Sequence, residues 1–208
     1  MNNIFLIILI ASITGLRSGY GQTKLIKKDI IKTNVTSIRI YGINDIGLEK
    51  YIPKQYEIAY QAECDINSDS ILDAIVICFD TIENYLQVDN LHNNQIPKRP
   101  VMVFIGNEDG TFKNMGRNDN IALRLDSEYC KYCGIEGISV KDNYFTIENY
   151  KGDGIVSNTR LYYTFKVIDN VVYFHRFDET VSGDENYSIT KKAKELGYPT
   201  FEHYKGNL

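Results

Sequence analysis

Oxygen-bearing side chains alternate at the start of the segment Asp65-Ile66-Asn67-Ser68-Asp69-Ser70-Ile71-Leu72-Asp73. Asp65, Asn67, Asp69 and Asp73 stand at relative positions 1, 3, 5 and 9, and Ile71 at position 7 offers its backbone carbonyl. A tightly turning loop of this spacing aims alternate side chains inward, and a hard cation such as calcium takes a shell of about six to eight oxygens. The Glu that closes an EF-hand at position 12 is replaced by Val76, so the loop is not an EF-hand. Position 6 holds Ser70 where such loops carry Gly. Ser in a left-handed backbone costs about 1–2 kcal/mol, so the expected calcium affinity is weak, about 0.1–1 mM, at the extracellular end of the range. The competing reading is a solvated Asx-rich turn without metal.

Thiol chemistry is the second candidate. Cys130 and Cys133 form a Cys-x-x-Cys pair, but no strand-to-helix context surrounds them. A small structural disulfide is therefore expected ahead of metal-binding thiols or a redox pair. Cys64 and Cys78 flank the acidic loop and the apolar run after it. A bond between them would clamp the loop, but a strand that continues straight holds them beyond the about 7 Å Cα limit for a disulfide; both outcomes stay open, with two buried thiols slightly preferred. A four-Cys zinc site suits a reducing compartment better.

No catalytic residues are assigned. The three His (His92, His175 and His203) fall in no metal or catalytic pattern, and no nucleophile elbow, phosphate-binding loop or dinucleotide fingerprint occurs. Asp178-Glu179 and Asp184-Glu185 read as solvated turns. Arg117-Asn118-Asp119, between Phe112 and Ile121, is a candidate surface site. It either faces a cleft, or caps a turn with Arg117 paired to an acid. Asn93 to Arg99 and the pair Tyr162-Tyr163 are further candidates for a binding face, because Tyr combines large area with one hydroxyl.

The elements that position these residues read mainly as strands. Tyr56 to Ala62 and Leu161 to Val167 alternate polar and apolar, as do Ser37 to Tyr41. Leu72 to Phe79 and Val101 to Ile105 are apolar runs too short for a globular helix, which suits strands covered on both faces. Further strands are expected at Ile138 to Val140, Tyr144 to Glu148 and Val171 to Arg176, joined by turns at Asp142-Asn143 and Asp169-Asn170. The polar stretch from Asp80 to Arg99 reads as a surface loop, and Ser188 to Leu196 as a short helix stopped by Gly197. The expected class is α+β, mainly antiparallel β sheet with one or two short helices, in a single domain over 22–208.

Composition agrees with a folded, exported chain. Its 208 residues are 43% hydrophobic, too apolar for disorder, and include 16 Tyr and no Trp. The net charge of −4 leaves no electrostatic footprint for nucleic acid. Ile4 to Ile13 is apolar but shorter than the about 20 residues that span a bilayer. It reads as the core of a signal peptide over 1–21, cleaved after Gly19-Tyr20-Gly21, with no stable membrane span afterwards. Cleavage removes Arg17 alone, leaving 22 of the 23 basic residues against 27 acids, a net charge of −5. The expected location is periplasmic or secreted.

Asp65 to Ile77 resembles the first half of an FG-GAP or VCBS-type repeat, in which an acidic loop feeds an apolar strand. The second half resembles Val101 to Phe112, including its Gly106-x-x-Asp109-Gly110-Thr111-Phe112 ending. The likeness spans about 62–112 and occurs once, which implies a calcium loop but no propeller. From Tyr51 to Asp178 the chain is also similar to a group of small exported bacterial proteins with no assigned activity. The segments that carry this likeness are Ile52-Pro53-Lys54, Glu63 to Asn67, Arg99-Pro100, Arg117-Asn118-Asp119, Cys130 to Gly134 and Tyr144 to Ile147. Cys64 and Ser70 depart from that group's Gly residues, and an aromatic patch near Asn158-Thr159-Arg160 is missing.

The expected function is a non-catalytic, calcium-binding exported protein that meets a protein or glycan of the cell envelope. The alternative is a hydrolase of an envelope or extracellular polymer, using Asp119 or Asp178. A third reading is a periplasmic protector that blocks a toxin.

Overall fold

The computed structural model describes residues 36–37, 47–81, 99–123, 134–152, 157–183 and 186–206, all within the compact unit Thr33–Leu208. The signal segment, the strand expected after Ser37, His92 and most of its loop, Cys130, Cys133 and Asp184-Glu185 lie outside the described residues.

Among the described residues ten strands form two antiparallel sheets. The chain runs through β1 (Thr36–Ser37), β2 (Tyr56–Cys64), β3 (Asp73–Asp80), β4 (Val101–Gly106), β5 (Phe112–Asn118), β6 (Gly134–Lys141), β7 (Tyr144–Gly152), β8 (Ser157–Ile168), β9 (Val171–Gly183) and β10 (Tyr187–Lys192). One sheet has the order β2-β3-β4-β5, and the other β1-β6-β7-β8-β9-β10. Apart from β1, which pairs with β6, the neighbours within each sheet are consecutive in the chain, and short turns set the β4–β5, β6–β7 and β8–β9 registers. Asp142 at φ 51° and Asp169 and Asn170 at φ 49° and 58° make two of these turns, where the sequence places them.

The apolar runs explain the layering. β4 is buried along its whole length, and β3 from Asp73 to Cys78. Ile75, Ile77, Val101 and Val103 join Phe145, Phe165 and Phe174 of the six-stranded sheet in the main core. Ala74, Val76, Cys78, Met102 and Phe104 face the opposite way, packed with Leu48 and the half-buried Tyr51 and Ile52. A continuous apolar run is needed because both faces of these strands are covered. Each such side chain contributes about 1.5–3 kcal/mol on burial, and Phe165→Ala would cost about 3–5 kcal/mol.

The expected α+β class is corrected to mostly β. Among the described residues there is no α-helix, and the delimited helical pieces are single 3-10 turns at Glu49–Tyr51, Ala193–Leu196 and Phe201–His203. The helix expected from Ser188 is instead β10, with Ile189 opposite Glu179 and Thr190 opposite Asp178. β-branched residues fit a pleated pairing better than a helical turn, and the β9 edge offers that pairing. Gly197 does end the turn at Leu196, at φ 73°.

The last described residues close the seam between the sheets. Phe201 enters the core with its ring centroid 5.0 Å from that of Phe165, and Tyr204 stacks on Phe174 at 4.1 Å. The buried Asn118 at the end of β5 donates its amide to the carbonyls of Phe201 at 2.5 Å and Tyr204 at 2.8 Å.

Candidate functional site

The acidic loop lies between β2 and β3 and closes on itself through carboxylate-to-amide hydrogen bonds. Asp65 accepts the Asp69 N–H at Oδ1 (3.0 Å) and the Ser70 N–H at Oδ2 (2.9 Å). Asp69 Oδ1 accepts the Ile71 N–H at 2.8 Å, while Asn67 accepts the Asp69 N–H at 3.1 Å and donates its amide to Asp69 Oδ2 at 2.8 Å. These bonds require a left-handed backbone at Ser68 (φ 65°) and Ser70 (φ 68°). The strain expected at position 6 is therefore present, and a second strained Ser stands two residues before it.

Asp73 has a different environment from the other loop acids. It is fully buried, and its two oxygens accept the Ile66 N–H and the Gly106 N–H, both at 2.9 Å. It thus ties the loop's start to the end of β4. Burial pushes its carboxyl up to about 6, against the two amides that favour the charged form. Gly106 must come this close: a Cβ there would sit 2.3 Å from the Leu72 carbonyl oxygen. The segments Asp65 to Ile77 and Val101 to Phe112 are adjacent in space, since β3 pairs with β4 and one buried carboxylate bridges them.

The donor set is one of hard oxygens, as calcium chemistry asks. Asp65, Asn67 and Asp69 share the turn, and each carboxylate oxygen keeps lone-pair capacity beyond its hydrogen bond. Among the described residues no three His, Cys, Asp or Glu side chains gather as a metal-holding group. Further ligands would have to be the Asn67 oxygen and carbonyls such as that of Ile71. Asn67 also donates to Asn170 Oδ1 at 3.1 Å, so the β8–β9 turn touches the loop. That contact joins residues 103 apart in sequence, and no local signal marks it.

The Arg117-Asn118-Asp119 cluster divides. Arg117 pairs with Asp119 (2.6 Å), donates to the Tyr56 hydroxyl (2.8 Å) and lies over the Tyr56 ring. Asn118 points the other way, into the seam, and its Oδ1 takes the Asn120 N–H at 2.8 Å. Asn149, also buried, holds the following segment by accepting the Leu123 N–H (2.8 Å) and donating to the Ile121 carbonyl (3.0 Å). Sequence reasoning passed over Asn149 because a lone Asn within an alternating strand carries no spacing signal.

Cys64 and Cys78 are free thiols. Cys64 sits opposite Asp73 and packs on the main core, whereas Cys78 sits opposite Ile58 in the second core, on the other face of the sheet. Five residues of strand, about 16 Å, separate their register positions. Burial pushes both thiols up, Cys78 to about 12. Tyr162 and Tyr163 also part: Tyr163 enters the core, while Tyr162 stands on the outer face between Glu148 and Asp178. Asp178-Glu179 belongs to β9 and not to a turn. Asp178 accepts from Arg176 Nε (2.8 Å) and the Thr190 hydroxyl (2.7 Å).

Compared with known families, curated proteins and solved structures, the chain matches none.

Proposed function

We propose that the chain is an exported, non-catalytic β protein that holds a calcium ion weakly and uses its sheets as a rigid platform for a protein or glycan of the cell envelope. The observation that carries the reading is the loop from Asp65 to Asp73, whose oxygens line one turn and whose last acid is anchored in the core. In this reading Asp65, Asn67, Asp69 and the Ile71 carbonyl supply the ligands, and Asp73 fixes the turn to β4. The likeness to an FG-GAP-type unit belongs to the same proposal. Calorimetric titration of the purified chain tests it. With a dissociation constant of about 0.1–1 mM, 5 mM calcium adds about 1–2 kcal/mol of stability and raises Tm by several degrees. An absence of both heat and thermal shift at that concentration would remove calcium from the function.

The hydrolase reading has one observation in its favour. Glu148 and Asp178 flank Tyr162 in one cross-strand row, their backbones two strand spacings apart, about 10 Å. A paired-carboxylate glycosidase needs a comparable separation. Hydrolysis of envelope polymers that is lost on Glu148→Gln would favour the enzyme over the binding module.

A further inference from the structure

We infer that the outer face of the six-stranded sheet, where Lys166, Arg176 and Lys192 meet Tyr144, binds an acidic polysaccharide. This names the partner of the binding surface proposed above and rests on that half of the proposal, not on the calcium loop.

The patch is assembled by register. Tyr144 of β7 pairs with Lys166 of β8; Thr164, the next residue of β8 on that face, pairs with Arg176 of β9, and Arg176 with Lys192 of β10. Directly paired residues point to the same side of a sheet, with strands about 4.8 Å apart. The three cations therefore share one face although they come from three strands.

The contacts agree. Lys166 Nζ lies 5.1 Å from the centroid of the Tyr144 ring, and the exposed His175 meets the same ring edge-on at 4.9 Å. Burial, then Arg176 and Lys166, with a further push from Lys192, hold the His175 imidazole below its ordinary value; Asp178 alone opposes them. Asp178 is already engaged by Arg176 and Thr190. Among the described residues Lys166 and Lys192 form no ion pair. A chain of net charge −4 thus sets two lysines without an ion pair beside the Asp178-paired Arg176 on one aromatic area.

Charge complementarity selects an anionic occupant, and the rest of the face selects a sugar. Tyr144 and Tyr173, both half-buried, stand on either side of Lys166 and offer ring area that suits a pyranose. An extended polymer carrying one charge per sugar fits a flat grid of this kind. A phosphodiester chain needs a longer basic track and would run onto the row of Glu148 and Asp178.

The test uses the full chain in buffer with EDTA, so that calcium cross-linking of a polymer plays no part. Affinity electrophoresis through dextran sulfate and polygalacturonate should retard the protein, and plain dextran should not. Lys166→Glu with Lys192→Glu should weaken retardation at least tenfold while the Tm stays at the wild-type value. Lys113→Glu, at an exposed position of β5, should change nothing. Raising salt to 0.5 M should release the protein, because exposed charges are screened beyond a few ångströms there. Equal behaviour in dextran and dextran sulfate, or an unchanged affinity in the folded double variant, would overturn the inference. So would tighter binding of polyglutamate or single-stranded DNA than of either acidic polysaccharide. A neutral glycan held equally by wild type and double variant would sink the patch and leave the binding module standing.

Discussion

Replacing Ser70 by Gly is the sharpest test of how the acidic loop is built. Ser70 sits at φ 68°, and its N–H is held by Asp65 Oδ2 at 2.9 Å. The left-handed turn is already held by the loop's own hydrogen bonds, so its strain weighs on folding and not, as the sequence suggested, on ion capture. A non-Gly residue in that region costs about 1–2 kcal/mol. Gly removes this cost, but its freer unfolded chain takes back about 0.4–1 kcal/mol. The net expectation for Ser70→Gly is a gain of about 0.5–1 kcal/mol, a Tm increase of about 1–4 °C for a chain of this size. Ser68→Gly should add a similar amount, because φ there is 65°. Thermal unfolding followed by circular dichroism, with and without 5 mM calcium, reads the effect, and calorimetry reads the affinity. The Tm should rise in both conditions, and the calcium affinity should change by less than about threefold. An unchanged Tm with a tenfold tighter ion would refute it, since the strain would then arise on binding.

Other expectations follow from the buried polar anchors. Asp73→Asn should cost about 1–3 kcal/mol in chemical denaturation, because an amide NH₂ would face one of two buried N–H donors. In the parent protein Asp73 has a folded value of about 6, above the unfolded carboxyl at about 3.9. Its contribution to stability is therefore full below pH 4 and lost as pH rises through 6; denaturation curves should show that decline between pH 4 and 7, and Asp73→Asn should lack it. Gly106→Ala puts a Cβ against the Leu72 carbonyl and should lower stability by about 1–3 kcal/mol, read as a fall in Tm. Asn118→Ala removes both amide bonds to the C-terminal seam and should speed proteolysis near Phe201, with a loss of about 1–3 kcal/mol. Native thiol labelling read by mass spectrometry should spare Cys78 until the protein unfolds, and fast labelling of it would contradict its burial.

The sequence alone determined what local periodicity and turn chemistry can carry. The unbroken apolar runs of β3 and β4 announced strands covered on both faces, and the Asp142 and Asp169-Asn170 turns set two hairpins. The alternating oxygens of Asp65, Asn67 and Asp69, with a strained Ser70 among them, were legible because a turn of a few residues is organised by its own side chains. β5 was not legible: Phe112 to Asn118 is polar and contains a Gly, and pairing to β4 makes it a strand. β10 was misread as helix because its pattern fits either period until the β9 edge is present.

Only the tertiary structure decided the roles of single polar residues. Asp73 and Asp69 look alike in the sequence, yet one is locked between buried amides and the other lines an exposed turn. The cationic face likewise depends on strand register, which places Lys166, Arg176 and Lys192 side by side although no window of sequence contains all three. A side chain's burial and neighbours come from long-range pairing, and that is why the loop could be read in advance while its anchor and the binding face could not.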